Sequence, residues 1–187
     1  MTPSWLLMLH AARILKAGGV VAYPTEAVFG LGCDPRDEAA LQRILAIKQR
    51  SWRKGMILIG ADFGQLEPWL APLSAEQRAR IEPTWPGPVT WLMPARADVP
   101  RWLRGAHPVL AVRVTAHAPA AALCRAAGFP LVSTSANISR RPPARSALAV
   151  RRQLGKLIDA IAPGAVGGAA RPSEIRDLAS GRVMRVG

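Results

Sequence analysis

Short apolar segments rich in β-branched residues alternate along the chain with segments whose apolar residues recur at helical spacing. The segments with strand character are 20–23, 56–59, 89–93, 110–114, 131–135 and 183–186. Helical segments separate most of these strands, and some strands are neighbours in sequence. The pattern predicts an α+β (three-layer α/β/α) fold: a mixed, twisted sheet of about seven strands with helices on both faces.

Residues that cap helices mark where the helical segments begin and end. Thr2 followed by Pro3 predicts the start of a first helix, which the glycines at 18–19 end. Asp37 predicts the N-cap of a second helix, with an apolar face that also carries Lys48. The other predicted boundaries are the capping box of Ser74 with Gln77, Gly128 after the helix 119–127, and Ser146 before the last helix.

Length and composition restrict the class of protein. A chain of 187 residues that is 50% hydrophobic can bury a sizeable core, and we expect one domain over 1–187. There is no apolar run of about 18 residues, so we expect no membrane contact. Two cysteines and the lack of a positively charged signal-peptide region favour the cytoplasm. The three histidines have no metal-ligand spacing, so we expect no metal held by protein side chains.

The chain has an excess of positive charge. It carries 25 Lys and Arg against 12 Asp and Glu, a formal net charge of +13, and 21 of the cations are Arg. The planar guanidinium group suits phosphate and carboxylate. We therefore expect an anionic partner, either a nucleotide or a nucleic acid or both. The alternative, on composition alone, is that the arginines reflect genome composition and solubility.

Three polar clusters lie at the ends of predicted elements. The first, 23–34 (YPTEAVFGLGCD), follows a strand, and its glycines let the backbone approach a ligand. The second, Lys48 and Arg50 with two cations at 53–54, ends the second helix and can grip a polyphosphate. The third, 131–139 (LVSTSANIS), offers four hydroxyls and an amide to phosphate or ribose oxygens. Each cluster also has a purely structural interpretation. The first can be a strand-to-helix turn, the second can be cations that stabilise a helix C-terminus, and the third can be a Ser/Thr/Asn turn.

A single arginine, Arg113, interrupts the apolar strand 110–114. Arginine is rarely buried without a partner, and no acid lies near Arg113 in sequence. Either this side chain faces water, or it holds an anion such as a carboxylate.

The order of the motifs is more specific than any one of them. Along the chain they are YPTE with GLGC (23–33), K-x-R (48–50), WPGPVT (85–90), AVRV (111–114), STSAN (133–137) and PS-x-I (172–175). Together they resemble the YrdC/TsaC family of threonylcarbamoyl-AMP synthases, from about residue 19 to the C-terminus. The resemblance implies the YrdC-like fold in its short form, without the C-terminal domain of longer relatives.

The resemblance also implies a nucleotidyltransferase reaction. L-Threonine, bicarbonate (or CO2) and ATP, with Mg²⁺, would give threonylcarbamoyl-AMP and pyrophosphate. The product would supply the threonylcarbamoyladenosine next to the anticodon of tRNAs that read codons beginning with A. The resemblance further implies partners of the TsaD, TsaB and TsaE types, whose binding can be transient. It leaves open whether the chain contacts tRNA directly.

Carried over residue by residue, the resemblance assigns two sets of site residues. Threonine would be held by Thr25, Arg113, Ser133 and Ser173, with Arg113 on its carboxylate. The nucleotide would be held by Lys48, Arg50, Ser135, Asn137, Pro143 and Arg185. Lys48 and Arg50 would be catalytic by stabilising the leaving pyrophosphate, and no general base is evident.

Two positions depart from the family pattern. Ser51 stands where the family often has proline, and Arg140 stands where it usually has glycine. Neither change removes a proposed ligand-binding group, but both leave the geometry of their loops open. Two other functions also stay open at this point: an RNA-binding module without synthase activity, and a related carbamoylating enzyme with a different acceptor.

Overall fold

The computed structural model describes residues 3–187, with the backbone alone for Pro3. In that part of the chain the α-helices are α1 (Pro3–Lys16), α2 (Glu38–Lys48), α3 (Phe63–Leu66), α4 (Ala75–Ile81), α5 (Arg101–Arg104), α6 (Ala118–Ala127) and α7 (Ala147–Leu154). The strands are β1 (Val21–Pro24), β2 (Phe29–Gly32), β3 (Ile57–Gly60), β4 (Val89–Pro94), β5 (Val109–Val114), β6 (Leu131–Ser135), β7 (Ala160–Ile161), β8 (Glu174–Asp177) and β9 (Val183–Arg185).

All of these strands belong to one sheet, in the order β7-β1-β2-β6-β3-β5-β4-β8-β9. The pairs β1–β7, β3–β5 and β4–β8 are parallel, and the remaining neighbours are antiparallel. The mixed sheet that the sequence predicts is confirmed, with nine strands in the described residues instead of about seven.

Helices cover both faces of the sheet, as predicted. On β1, Val21 and Tyr23 pack into a buried cluster with α1 and α6. The intervening Ala22 belongs to a second cluster with α2 and α7. Because successive side chains of a strand point to opposite faces, the two clusters are the two faces of the sheet. The fold is therefore three layers with a core on each side of the sheet.

Strand β2 lies inside the cluster 23–34 and is not predicted by the sequence pattern. Two of its four residues are glycine, which weakens strand propensity. Packing requires these glycines, since a Cβ on Gly32 would lie 2.7 Å from the Tyr23 ring and one on Gly30 would lie 3.2 Å from it. Pairing with β1 and β6 holds the segment in strand conformation. Two other strands are also not predicted. Strand β7 is only two residues long, and strand β8 is mostly polar.

The predicted helix caps are confirmed where the structure describes them. An Asp37 carboxylate oxygen accepts a backbone N–H of the first turn of α2 at 2.9 Å. Ser74 and Gln77 form the capping box of α4, and Gly128 follows α6 with a φ of 81°. The predicted N-cap Thr2 lies outside the described residues. Local side-chain chemistry therefore sets the helix boundaries around the sheet.

The two cysteines, Cys33 and Cys124, are both buried as free thiols. Burial raises the pKa of the Cys124 thiol to about 12, so this side chain is protonated at neutral pH. Within residues 3–187, no helix combines the length and the apolar character that crossing a membrane requires.

Candidate active site

A cavity of about 330 Å³ opens between the β1–β2 turn, the start of β3, the end of β6, and the segment before β8. This volume is typical of a small-molecule site. It is lined by eight of the residues that the sequence assigns to the site: Thr25, Arg50, Arg113, Ser133, Ser135, Pro143, Ser173 and Arg185. The fold thus gathers most of both predicted sets, although they are spread over more than 150 residues of sequence.

Lys48 and Asn137 lie behind the cavity wall and do not line it. Lys48 is the last residue of α2 and is only 3% exposed. Its Nζ donates to the Ser135 carbonyl oxygen at 2.5 Å and to the carbonyl and side-chain oxygens of Asn137 at 3.0 Å each. Burial, followed by the charge of Arg50, lowers the pKa of Lys48 to about 8. Lys48 therefore ties the end of α2 to the exit of β6.

A left-handed residue turns the chain between Lys48 and Arg50. Gln49 caps α2 with a φ of 48°, and the Arg50 N–H donates to the Leu45 carbonyl oxygen at 3.0 Å. Non-glycine residues rarely adopt this conformation, which costs roughly 1–2 kcal/mol. The turn brings the Arg50 side chain to the cavity while Lys48 stays beneath it.

Arg50 has the environment of an anion-binding residue. Its Nη2 donates to the Gly55 carbonyl oxygen at 3.1 Å, and its Nε is buried without a hydrogen-bond partner. Burial lowers the pKa of this guanidinium. An unpaired buried donor is costly, and Arg50 bears that cost where it lines the cavity.

Arg113, the penultimate residue of β5, is buried at 6% exposure and holds a carboxylate of the protein itself. Its Nη2 donates to Glu26 Oε2 at 3.1 Å, and its Nε is also buried without a partner. Thr115 donates to the other Glu26 oxygen at 2.7 Å. The choice left open by the sequence is thus decided: Arg113 does not face bulk water but binds an anion, and the anion in place is Glu26.

Glu26 is a site residue that the sequence reasoning missed. It lies in the YPTE motif next to Thr25, and both line the cavity. Its position in that motif was a usable signal, but its partner lies 87 residues further along the chain. Only the sheet, which brings the β1–β2 turn to the exit of β5, makes the pair visible.

Hydroxyl groups surround the two arginines. Ser133 and Ser135 both line the cavity, and so does Thr134, which alternation along β6 would place on the opposite face. The Ser173 and Thr90 hydroxyls share a hydrogen bond of 2.9 Å, and Arg185 Nη2 donates to the Ser173 carbonyl oxygen at 2.7 Å. These groups can rotate to donate to a ligand or accept from it.

The loop before β8 closes one side of the cavity. The Gly167 N–H donates to the Thr25 carbonyl oxygen at 2.9 Å, and the Ala169 N–H donates to that of Glu26 at 3.1 Å. A Cβ on Gly167 would lie 2.7 Å from the same Glu26 oxygen, so only glycine fits this close approach. Arg171 reaches the cavity from this loop and was not among the predicted site residues.

The two departures from the family pattern fit the local backbone. Ser51 has a φ of −61°, a value that proline also adopts, and its hydroxyl accepts the Arg53 N–H at 3.3 Å. Arg140 has a φ of 70°, in the left-handed region that favours glycine. Both loops therefore have the backbone conformation that the usual residues favour, with strain at Arg140.

The cavity is strongly cationic. Its lining includes five cationic side chains, Arg50, Lys54, Arg113, Arg171 and Arg185, and a single carboxylate, Glu26. Burial and the charge of Arg113 lower the pKa of Arg185. The described residues contain no group of three His, Cys, Asp or Glu side chains that could hold a metal ion. The positive charge of the lining suits an anionic ligand.

Comparisons with known proteins identify the family of this chain. The family model Sua5_yciO_yrdC, described as telomere recombination, matches residues 13–187. A threonylcarbamoyl-AMP synthase of Nitrosococcus oceani is 61% identical over 98% of both chains. Its similarity thus extends over nearly the whole length of the sequence.

Solved structures share the fold. P. abyssi Sua5 complexed with L-threonine superposes with a TM-score of 0.88 at 34% identity, over 96% of this chain and 52% of that one. E. coli YciO superposes with a TM-score of 0.81 at 26% identity, over 95% and 85% of the two chains. The chain thus spans about half of the P. abyssi protein and most of YciO. By its sequence and by its structure, this chain belongs to the Sua5/YciO/YrdC family.

Proposed function

We propose that the chain is an L-threonylcarbamoyladenylate synthase, a nucleotidyltransferase that converts L-threonine, bicarbonate or CO2, and ATP into threonylcarbamoyl-AMP and pyrophosphate. One observation carries the proposal: Arg50 and Arg113 both line a single strongly cationic cavity, and each guanidinium has a buried Nε without a hydrogen-bond partner. A reaction that joins a carboxylate-bearing substrate to a nucleotide needs two anion-binding groups of this kind. The names of the close relatives support the same chemistry.

The threonine side of the cavity is formed around Arg113. Its guanidinium would hold the substrate carboxylate, and the hydroxyls of Thr25, Ser133 and Ser173 would surround the amino acid. That P. abyssi Sua5 is seen with L-threonine supports an amino-acid site in this fold.

The nucleotide side is formed around Arg50. Ser135, Pro143 and Arg185 line the same cavity, while Lys48 and Asn137 support its wall from behind. The ATP would bring its own Mg²⁺, since the lining has one carboxylate. Arg50 would bind the phosphates and stabilise the charge that accumulates as pyrophosphate leaves.

The reaction requires two bonds to form. The threonine ammonium group loses a proton, and the neutral nitrogen attacks the carbon of CO2 and loses a second proton to give a carbamate. A carbamate oxygen then attacks the α-phosphorus as the bond to pyrophosphate breaks. Because the carbamate is short-lived in water, holding both substrates in one cavity speeds the second step by proximity.

Several expectations from the sequence extend beyond this reaction. The threonylcarbamoyl group would pass to tRNA with the help of partners of the TsaD, TsaB and TsaE types. Direct tRNA binding and the cytoplasmic location likewise remain predictions. The exposed arginines 140, 141, 145, 151 and 152 provide a basic surface outside the cavity lining that suits RNA.

Release of pyrophosphate tests the proposal. Purified protein with MgATP, bicarbonate and threonine should release pyrophosphate, and omission of threonine or bicarbonate should abolish the release. Release that is equally fast with serine in place of threonine would favour a carbamoylating enzyme with another acceptor. If no threonine-dependent release occurs but RNA binds tightly in a salt-sensitive way, the protein is an RNA-binding module.

A further inference from the structure

Glu26 is the one carboxylate among the residues that line the cavity. Its two oxygens accept hydrogen bonds from Arg113 Nη2 at 3.1 Å and from Thr115 Oγ1 at 2.7 Å. The Glu26 side chain is 18% exposed, compared with 7% for Arg113. The carboxylate is therefore the more accessible member of the ion pair.

Glu26 keeps room for a further partner. An ionised carboxylate offers about four acceptor positions, and the two hydrogen bonds to Arg113 and Thr115 occupy two of them. Thr115 is only 2% exposed and does not line the cavity, so its hydroxyl holds Glu26 from the buried side. The remaining positions are available to a donor that enters from the cavity.

A carboxylate is out of place in a cavity that binds only anions. It would repel a triphosphate and would compete for Arg113 with the carboxylate of an incoming substrate. Among the proposed substrates, the amino acid is the one that carries a cation, its α-ammonium group. An α-amino acid bears this ammonium and its carboxylate on one carbon, and the adjacent Glu26 and Arg113 present the complementary charges at about the same separation.

We propose that Glu26 binds the α-ammonium group of the substrate amino acid, so that Glu26 and Arg113 together recognise a zwitterion. The inference rests on the proposed function and adds a specificity-determining residue to it. Glu26 selects amino acids over hydroxy acids of the same shape. Thr115 is a positioning residue, because it orients the carboxylate without contacting the substrate.

The test compares two ligands on two variants by isothermal titration calorimetry. The ligands are L-threonine and 2,3-dihydroxybutyrate, in which a hydroxyl replaces the amino group. The variants are Glu26→Gln and a control, Glu76→Gln, which neutralises an exposed carboxylate on α4. We expect Glu26→Gln to weaken threonine binding at least about tenfold, since a charged hydrogen bond is lost, and to leave dihydroxybutyrate binding as tight or tighter. Glu76→Gln should change neither.

Two results would overturn the inference while the proposed function stands. Equal weakening of both ligands by Glu26→Gln would mean that Glu26 only positions Arg113. Unchanged threonine affinity in Glu26→Gln would mean that the ammonium binds elsewhere. A comparison on the wild-type protein alone does not depend on the variant folding: threonine must bind more tightly than dihydroxybutyrate, and equal affinities also overturn the inference.

A different set of results would contradict the proposed function. If threonine binds the wild-type protein and loses affinity in Glu26→Gln, but ATP and bicarbonate give no pyrophosphate, the ammonium site is supported and the synthase proposal is wrong. If the wild-type protein binds no threonine at all, both are wrong.

Discussion

Lys48 Nζ lies 3.0 Å from both the carbonyl oxygen and the side-chain oxygen of Asn137, which joins the end of α2 to the segment that follows β6. The Asn137 amide in turn donates to the Arg141 carbonyl oxygen at 2.7 Å. The two motifs K-x-R and S-x-N therefore form one buried structure behind the cavity. Of the four residues, Arg50 and Ser135 reach the ligand side.

Replacement of Lys48 should disturb this wall rather than remove a surface contact. We expect Lys48→Met to lower kcat/KM about a hundredfold, because the oxygens of Ser135 and Asn137 lose their common donor and the wall shifts. Steady-state pyrophosphate release measures the effect. Lys156→Met removes an exposed lysine outside the cavity lining and should retain full activity. Full activity of Lys48→Met would contradict the structural role of Lys48.

The low pKa of Lys48 predicts a pH dependence of stability. Its pKa falls from 10.5 to about 8 in the folded chain, so between these values the unfolded chain binds more protons. The free energy of unfolding of the wild type, relative to Lys48→Met, should therefore rise with pH from about 8 to 10.5, by up to about 3 kcal/mol. Urea unfolding at a series of pH values measures the difference. A difference that stays constant or falls over this range would contradict the lowered pKa.

Arg50 should matter for catalysis and little for folding. Arg50→Ala removes the unpaired Nε and one hydrogen bond to Gly55, so we expect kcat/KM for ATP to fall about a hundredfold. The free energy of unfolding should change by less than about 1 kcal/mol, because a partly desolvated charge is removed as well. Arg53→Ala, an exposed neighbour in the same loop, is the matched control. Loss of folding in Arg50→Ala would count against its place at the cavity.

Arg113 should control the requirement for threonine. Arg113→Ala removes the guanidinium that would hold the substrate carboxylate, so KM for threonine should rise at least about tenfold while KM for ATP changes little. The variant should also be less stable, because Glu26 loses its partner. Arg176→Met breaks another ion pair on the sheet, outside the cavity lining, and should leave KM for threonine unchanged. An unaltered threonine KM in Arg113→Ala would remove Arg113 from the substrate site.

The left-handed backbone at Arg140 predicts a stabilising change. Its φ of 70° strains a residue that has a Cβ, and glycine relieves about 1–2 kcal/mol of that strain. The added freedom of glycine in the unfolded chain takes back about 0.5–1 kcal/mol. Arg140→Gly should therefore raise the free energy of unfolding by about 0.5–1 kcal/mol in chemical denaturation. The exposed neighbour Arg141, which has no positive φ, is the control, and Arg141→Gly should not be stabilising.

Much of the fold could be predicted because its main strands and helices carry strong local signals. The strand 131–135 and the caps at Asp37 and Ser74 are where the pattern places them. The strand β2 could not be predicted in this way. Its glycines are required by their close approach to the Tyr23 ring, and glycine has a low strand propensity. Long-range packing determines the conformation of such segments, and a local sequence pattern carries no information about that packing.

The candidate site likewise has features that the sequence predicts and features that only the folded structure reveals. The family resemblance that the motif order carries predicts eight residues that line one cavity. It does not predict that Lys48 is buried behind the wall, because a lysine at a helix end is usually solvated. The pair of Glu26 and Arg113 is likewise invisible in the sequence, since strand order in the sheet creates it.

The identity of the product tests the central claim most directly. Protein incubated with MgATP, L-threonine and ¹³C-bicarbonate should form, by mass spectrometry, an adduct of AMP and threonine joined by a carbonyl group that carries the label. Omitting threonine should abolish the adduct, and unlabelled bicarbonate should lower its mass by one unit. Turnover of ATP without a labelled adduct, or an adduct of AMP with threonine that lacks the labelled carbon, would contradict the account.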